Sequence, residues 1–243
     1  MLFCLWLPSA LTAADWELIN NEDGIKVYRK EDPNSNMFEF KGQGVVYADA
    51  ARVITFLTDI GLMTEWVDGC KKAKMLERNF TEKSYDMSVN QFYMIVYGEN
   101  SVPWPLQNRD YILKGKISYD AKRDQALINL KDTKHAKMPP QSGLVRMNFM
   151  KVRLTLKPIK NDKYTWVQIY VHLDPGGVIP AWAVNFISKS VPYKTIKKLR
   201  KLVKREKYNK EMEKLIVHHI LQLRKGKTVK NARKNKDKRL KKQ

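Results

Sequence analysis

Between Lys71 and Leu173 the chain is strand-like almost without interruption, and it then passes into a helix through a short break. Candidate strands lie at 72–78, 84–97, 109–119, 125–132, 145–158 and 164–173, each closed by a cluster of turn residues. Sequential strands with connections this short pair antiparallel, and their shared right-handed twist curves the sheet. The last strand, Tyr164 to Leu173, is rich in β-branched and aromatic residues. Asp174, Pro175, Gly176 and Gly177 stop it. Pro180 suits the first turn of the helix that follows, where a missing N–H is no loss. A sheet that delivers its last strand into a long apolar-faced helix predicts an α+β fold, with that helix laid across the sheet.

The start of the chain adds to the same plan. Ile25 to Arg29 alternates in period two, and Phe38 to Tyr47 forms a second early strand after the Asp32–Asn36 turn. Asp49 stands where a helix N-cap belongs, and Val53, Phe56, Leu57 and Ile60 behind it keep helical spacing. A short second helix over Leu62 to Val67 carries Trp66. No internal repeat is visible, and no linker divides the chain before about residue 205.

The formal charge of +21 is unevenly placed. Residues 194–243 hold 21 Lys/Arg against 4 Asp/Glu, whereas residues 1–193 hold 25 against 21. The body is therefore nearly balanced, and 206–243 reads as a basic tail, helical over Tyr208 to Leu223 and disordered from Lys225. Residues 1–14 form a short apolar run ending in Thr12-Ala13-Ala14, the pattern of a secretory signal without its leading basic residue. Export to the periplasm or exterior follows if it is cleaved. Otherwise the chain is cytoplasmic and peripheral to a membrane. Cys4 and Cys70 are the only cysteines; cleavage would leave Cys70 alone, a small partly buried residue beside Lys71 and Lys72.

Catalytic chemistry is hard to find. Asp174 to Gly177 lacks the Lys-Ser/Thr of a phosphate loop, and no Gly-x-Ser-x-Gly elbow occurs. His135, His172, His218 and His219 show no metal-ligand spacing with Cys or carboxylates. The expectation is a protein that is not an enzyme and uses no metal or cofactor.

In Val102 to Tyr111, Pro103 and Pro105 flank Trp104 in a rigid connection, and Arg109-Asp110 opens a strand. Neighbouring strand residues face opposite sides, so one of that pair faces inward and needs a partner. Trp104-Pro-Leu-x-x-Arg109-Asp110, then Asp174-Pro-Gly-Gly-x-Ile-Pro180-Ala-Trp182-x-x-Asn185, then Pro192 and Leu199-Arg200 resemble the START (steroidogenic acute regulatory protein-related lipid-transfer) domain. Asp15-Trp-Glu-Leu and Asp23 to Tyr28 resemble its bacterial exported members. The resemblance covers roughly 15–205. It implies a helix-grip (START/Bet v1-like) fold, a curved antiparallel sheet around a long C-terminal helix with a tunnel for one lipid. Where sterol-binding members carry a second arginine six residues after the first, this chain has Gly115. A sterol, a fatty acid and a phospholipid all stay open as cargo.

On that plan Trp66, Tyr93, Trp104, Trp182 and Phe186 are the expected tunnel lining, and Arg109 the candidate polar anchor. From Ala181, the residues Val184, Ile187, Val191, Ile196, Leu199 and Val203 give the closing helix an apolar stripe. Pro192 removes a bond to the Ser188 carbonyl, which predicts a kink and a hinge for a lid. Lys194, Lys197, Lys198, Lys201, Lys204 and Arg205 suit transient docking on an anionic membrane. The expected function is a monomeric, non-catalytic lipid carrier. The alternative is a basic protein that binds nucleic acid or another anionic surface and whose cavity is only structural; nucleic acid is disfavoured because no aromatic residue follows Tyr208 to stack on bases.

Overall fold

The computed structural model of the protein describes residues 16–31, 38–80 and 93–240. Residues 1–14, with the signal reading, lie outside the described residues. So does 84–92 of the second candidate strand.

Ten strands make one sheet among the described residues: β1 Glu17–Glu22, β2 Ile25–Glu31, β3 Phe38–Val46, β4 Cys70–Arg78, β5 Met94–Asn100, β6 Arg109–Asp120, β7 Gln125–Asp132, β8 Val145–Arg146, β9 Phe149–Ile159 and β10 Tyr164–Asp174. Their order is β1-β2-β3-β10-β9-β7-β6-β5-β4, antiparallel throughout, with the two-residue β8 pairing parallel to β6. The helices are α1 Ala50–Thr58, α2 Met63–Trp66 after a 3-10 turn, α3 Ala181–Leu202 and α4 Lys210–Leu240. As the capping pattern predicts, the Asp49 carboxylate accepts the Arg52 backbone N–H at 2.9 Å and starts α1.

α3 crosses the sheet and buries Ile196, Leu199, Leu202 and Val203 against β2, β3 and α2. The approach is close enough that a Cβ on Gly42 of β3 would lie 2.7 Å from the Pro192 Cβ, so only glycine fits beneath the helix there. α3 is continuous through Pro192, which is buried. On the described side chains this residue is a seat on the sheet.

Two expectations need correction, and one strand lies outside them. β1 was not legible, because ELINNE is mostly polar and shows no in-out alternation. The strand expected at 145–158 is two, β8 and β9, parted at Met147 and Asn148, whose N–H groups bond the carbonyls of Asp110 and Asp174. The basic tail does not stand clear of the body over 212–224. α4 buries Ile216 and Ile220 against α1 and packs Met212 and Leu223 beside them, a helical row hidden among lysines. Arg224 then fastens it to Asp124 and Asp162, at 2.8 and 2.6 Å, in the β6–β7 and β9–β10 turns. The helix continues to Leu240 where disorder was expected.

Candidate functional site

Between the sheet and α3 lies a cavity in which the centres of water molecules could range over about 190 Å³. Leu113, Leu130, Leu154 and Ile169 wall it from the sheet, Met63 and Trp66 from α2, and Ile187 and Val191 from α3. The alternation of β6, β7, β9 and β10 puts these apolar side chains on one face. The lining is overwhelmingly apolar, so a ligand held here gains mainly from leaving water.

One end of the cavity is walled by Val102, Pro175 and Ile179, and two motifs meet there. Gly176 and Gly177 both take positive φ, 67° and 64°, which turns the chain out of β10. The Asp174 carboxylate accepts the Gly176 N–H at 2.9 Å and the Asn148 side-chain amide at 3.1 Å. Arg109 is buried and lines the cavity. Its guanidinium donates to the carbonyls of Gln107 (2.6 Å), Gly176 (3.2 Å) and Pro175 (3.4 Å), and burial lowers its pKa. Asp110 faces the other way, fully buried, and accepts both arms of Arg146 at 2.8 and 2.9 Å. Burial and then the Asp110 charge push the neighbouring Tyr97 phenol up to about 12. The Trp-Pro segment and the Asp-Pro-Gly-Gly break are thus two halves of one clamp.

The START domain model matches residues 7–209. The chain belongs to the START domain family. It is 29% identical over 184 residues to the phosphatidylcholine transfer protein of Rattus norvegicus, covering 74% of this chain and 80% of that one. An uncharacterized protein of Pseudomonas aeruginosa is 26% identical over 188 residues, covering 77% of this chain and 86% of that one. The crystal structure of a STAR-related lipid transfer protein from Xanthomonas axonopodis superposes with a TM-score of 0.65 at 26% identity, covering 78% of this chain and 99% of that one.

Of the lining residues expected for this START cavity, Trp66 and Arg109 reach it. Tyr93 does not. It precedes Met94 and Val96, which face the cavity, so its parity sends it to the outer face with Ile95 and Tyr97. There its hydroxyl bonds Glu77, and the Lys114 ammonium sits 3.8 Å over its ring. Trp104 is 89% exposed, Trp182 49% and Phe186 51%. Each lies in a segment that walls the cavity with a neighbour, Val102 or Ile187, and is itself turned outward. Val178, 87% exposed beside the lining Ile179, completes this apolar rim. Pro103 supports the loop, its carbonyl accepting the Leu106 N–H at 3.1 Å, and the Trp104–Pro105 bond is cis. Pro180 is the N-cap of α3 and not its first residue. The side chains of Asn185 and Ser188 lie outside those described.

The basic residues of α3 are largely spoken for within the START body. Lys197 bonds Asp23 at 2.8 Å and Lys198 bonds Asp68 at 2.6 Å. Lys194 is 3.9 Å from Asp68, and Arg205 pairs with Glu65. Hydrogen bonds from Lys197 and then Tyr193 hold the Asp23 carboxyl below its usual pKa. Lys201 and Lys204 are exposed, with no carboxylate in ion-pair distance among the described residues. These charges tie α3 to the fold. They also lie toward its C-terminal end, whereas the rim is at its start. Sequence alone shows such lysines as a free surface because their acids come from 23, 65 and 68.

The remaining reactive groups are quiet. Cys70 is buried and donates to the Lys72 carbonyl, and burial pushes its thiol up to about 11. At pH 8 its thiol should therefore alkylate far more slowly in native than in urea-unfolded protein, with the native rate still rising toward pH 11. Peptide mapping of the Cys70 peptide reads this, and equal rates in the two states would contradict it. Among the described residues no cluster of His, Cys, Asp and Glu is arranged to hold a metal ion, and no helix is long and apolar enough to cross a membrane.

Proposed function

We propose that this START protein binds one lipid molecule in the cavity between sheet and α3 and carries it between membranes without catalysis. The observation that carries this reading is an apolar cavity whose end segments turn Trp104, Val178, Trp182 and Phe186 out to solvent. Aromatic side chains of this kind partition into the boundary between headgroups and acyl chains. The rim thus serves as the docking surface, and the lipid passes over it. Relatives that bear the names phosphatidylcholine transfer protein and STAR-related lipid transfer protein support a lipid cargo. Arg109 lines the same end, with no carboxylate in ion-pair distance among the described residues, and so offers an anchor to the polar end of the lipid. Opening occurs over 181–191, where most of the described side chains of α3 are exposed or half-buried, about Pro192 as the seat. A monomer exported through residues 1–14 completes the proposal, tested by mass and N-terminal sequencing of the secreted chain.

Native mass spectrometry of the full chain, followed by lipid extraction, should find one lipid per protein. An empty chain that takes up nothing from vesicles would sink the reading. Trp104→Ala with Trp182→Ala should slow transfer between vesicles about tenfold while leaving the bound lipid in place. Hydrogen exchange over 181–191 should rise when vesicles are added. Unchanged transfer and exchange would remove the rim and the hinge from the account.

A further inference from the structure

The outer face of the sheet carries a second concave feature, unrelated to the lipid cavity in chemistry. Lys114 and Lys116 of β6, Lys131 of β7 and Lys151 of β9 rim an open groove, with Asn129 and Thr133 between them. Water centres could range over about 300 Å³ in it. The register is what makes the groove unusual. Lys131 stands directly opposite Lys114 on one side and Lys151 on the other, so three lysines follow one another in register across three adjacent strands.

Like charges placed directly opposite on a sheet destabilise it. The rest of the body does not impose them, since residues 1–193 are close to charge balance. Among the described residues, Lys114 alone of the three feels a nearby carboxylate, that of Glu77 beyond the Tyr93 ring. Lys131 and Lys151 have no carboxylate in ion-pair distance among the described residues, and Lys114 is held over the Tyr93 ring at 3.8 Å. Asp132 is the single carboxylate among the lining residues, and it accepts the Met150 N–H at 3.4 Å. A row of cations that costs stability and stays exposed around a recess has the character of an anion site.

We propose that this groove binds a compact, multiply charged, phosphate-bearing anion. Lys114, Lys131 and Lys151 supply charge-assisted hydrogen bonds from three sides, and Asn129 and Thr133 supply neutral polar groups. Its recessed shape between strands favours a discrete anion over a flat bilayer. Leu113, Leu130 and Val152 of the same three strands wall the lipid cavity, so the two sites share one layer of sheet.

Calorimetric titration of the full chain with inorganic pyrophosphate, at fixed ionic strength, tests the site. Lys131→Gln with Lys151→Gln should weaken binding at least about tenfold. The same variant should melt no lower than the parent without anion, because a repulsion has been removed. Lys201→Gln with Lys204→Gln removes two exposed charges at and just beyond the end of α3 and should leave binding unchanged, which separates the groove from general basicity. The proposal is overturned if the parent shows no pyrophosphate binding, or if both variants weaken it equally. It is also overturned if the groove variant keeps pyrophosphate affinity but loses capture by phosphatidylserine vesicles, since the face would then be a membrane surface.

Discussion

Replacing Asp110 with asparagine should destabilise the protein by about 2–4 kcal/mol, lowering its melting temperature by roughly 5–15 °C. The carboxylate is fully buried and takes both arms of Arg146, so its loss leaves a guanidinium without its counter-charge. Removing one partner of a fully buried pair costs about 3–5 kcal/mol. The lower range is expected here because the Arg146 side chain is 24% exposed and can recruit water. Arg146 also donates to the Met138 and Pro139 carbonyls, so the damage should spread into the loop before β8. Thermal and urea unfolding measure the effect, and replacing Arg146 with methionine in the same chain should recover part of it. A melting temperature within 2 °C of the parent would contradict the clamp.

The second large effect is on function. Val171→Trp should abolish most lipid binding while leaving the fold in place. Val171 lies on β10 opposite Phe40 and Val152 and faces the cavity. An indole there fills space the lipid would occupy. Overpacking costs about 1–3 kcal/mol in a filled core, and this site has room to absorb part of it. Co-purified lipid should fall at least about tenfold. Added lipid should raise the parent's melting temperature but not the variant's, since only a ligand bound to the folded state stabilises it. Normal lipid content in the variant would mean that the ligand sits elsewhere. The two substitutions differ in kind, one loosening the scaffold and the other plugging it.

Much of this architecture is readable from residue pattern. Asp49 announces α1, and the turn clusters bound β6 and β7 closely. The Asp174 to Gly177 break is legible because proline and paired glycines have few structural uses together. Large aromatics are where the reading goes astray. Trp104, Trp182 and Phe186 look like lining because apolar bulk is taken for burial, yet a rim and a lining differ by which way a loop turns. Tyr93 is a different case, since counting strand parity from Met94 would have placed it outside. Arg146 was missed for a third reason: it lies 36 residues from Asp110, and nothing local marks it as a partner. The same distance effect disguises the paired lysines of α3.

The pairing of β3 with β10 has a bearing on how the chain is made. The edge that β3 offers between Phe38 and Val46 is satisfied by residues 165–173. On a ribosome, that edge waits through the synthesis of six further strands before its neighbour emerges. Contacts this distant in sequence slow folding, and an unpaired strand edge invites other chains meanwhile. β2 guards only one side of it. Yield at high expression rate should therefore be limited by aggregation before Asp174 is translated, and slower translation upstream of β10 should not help as much as a holding chaperone.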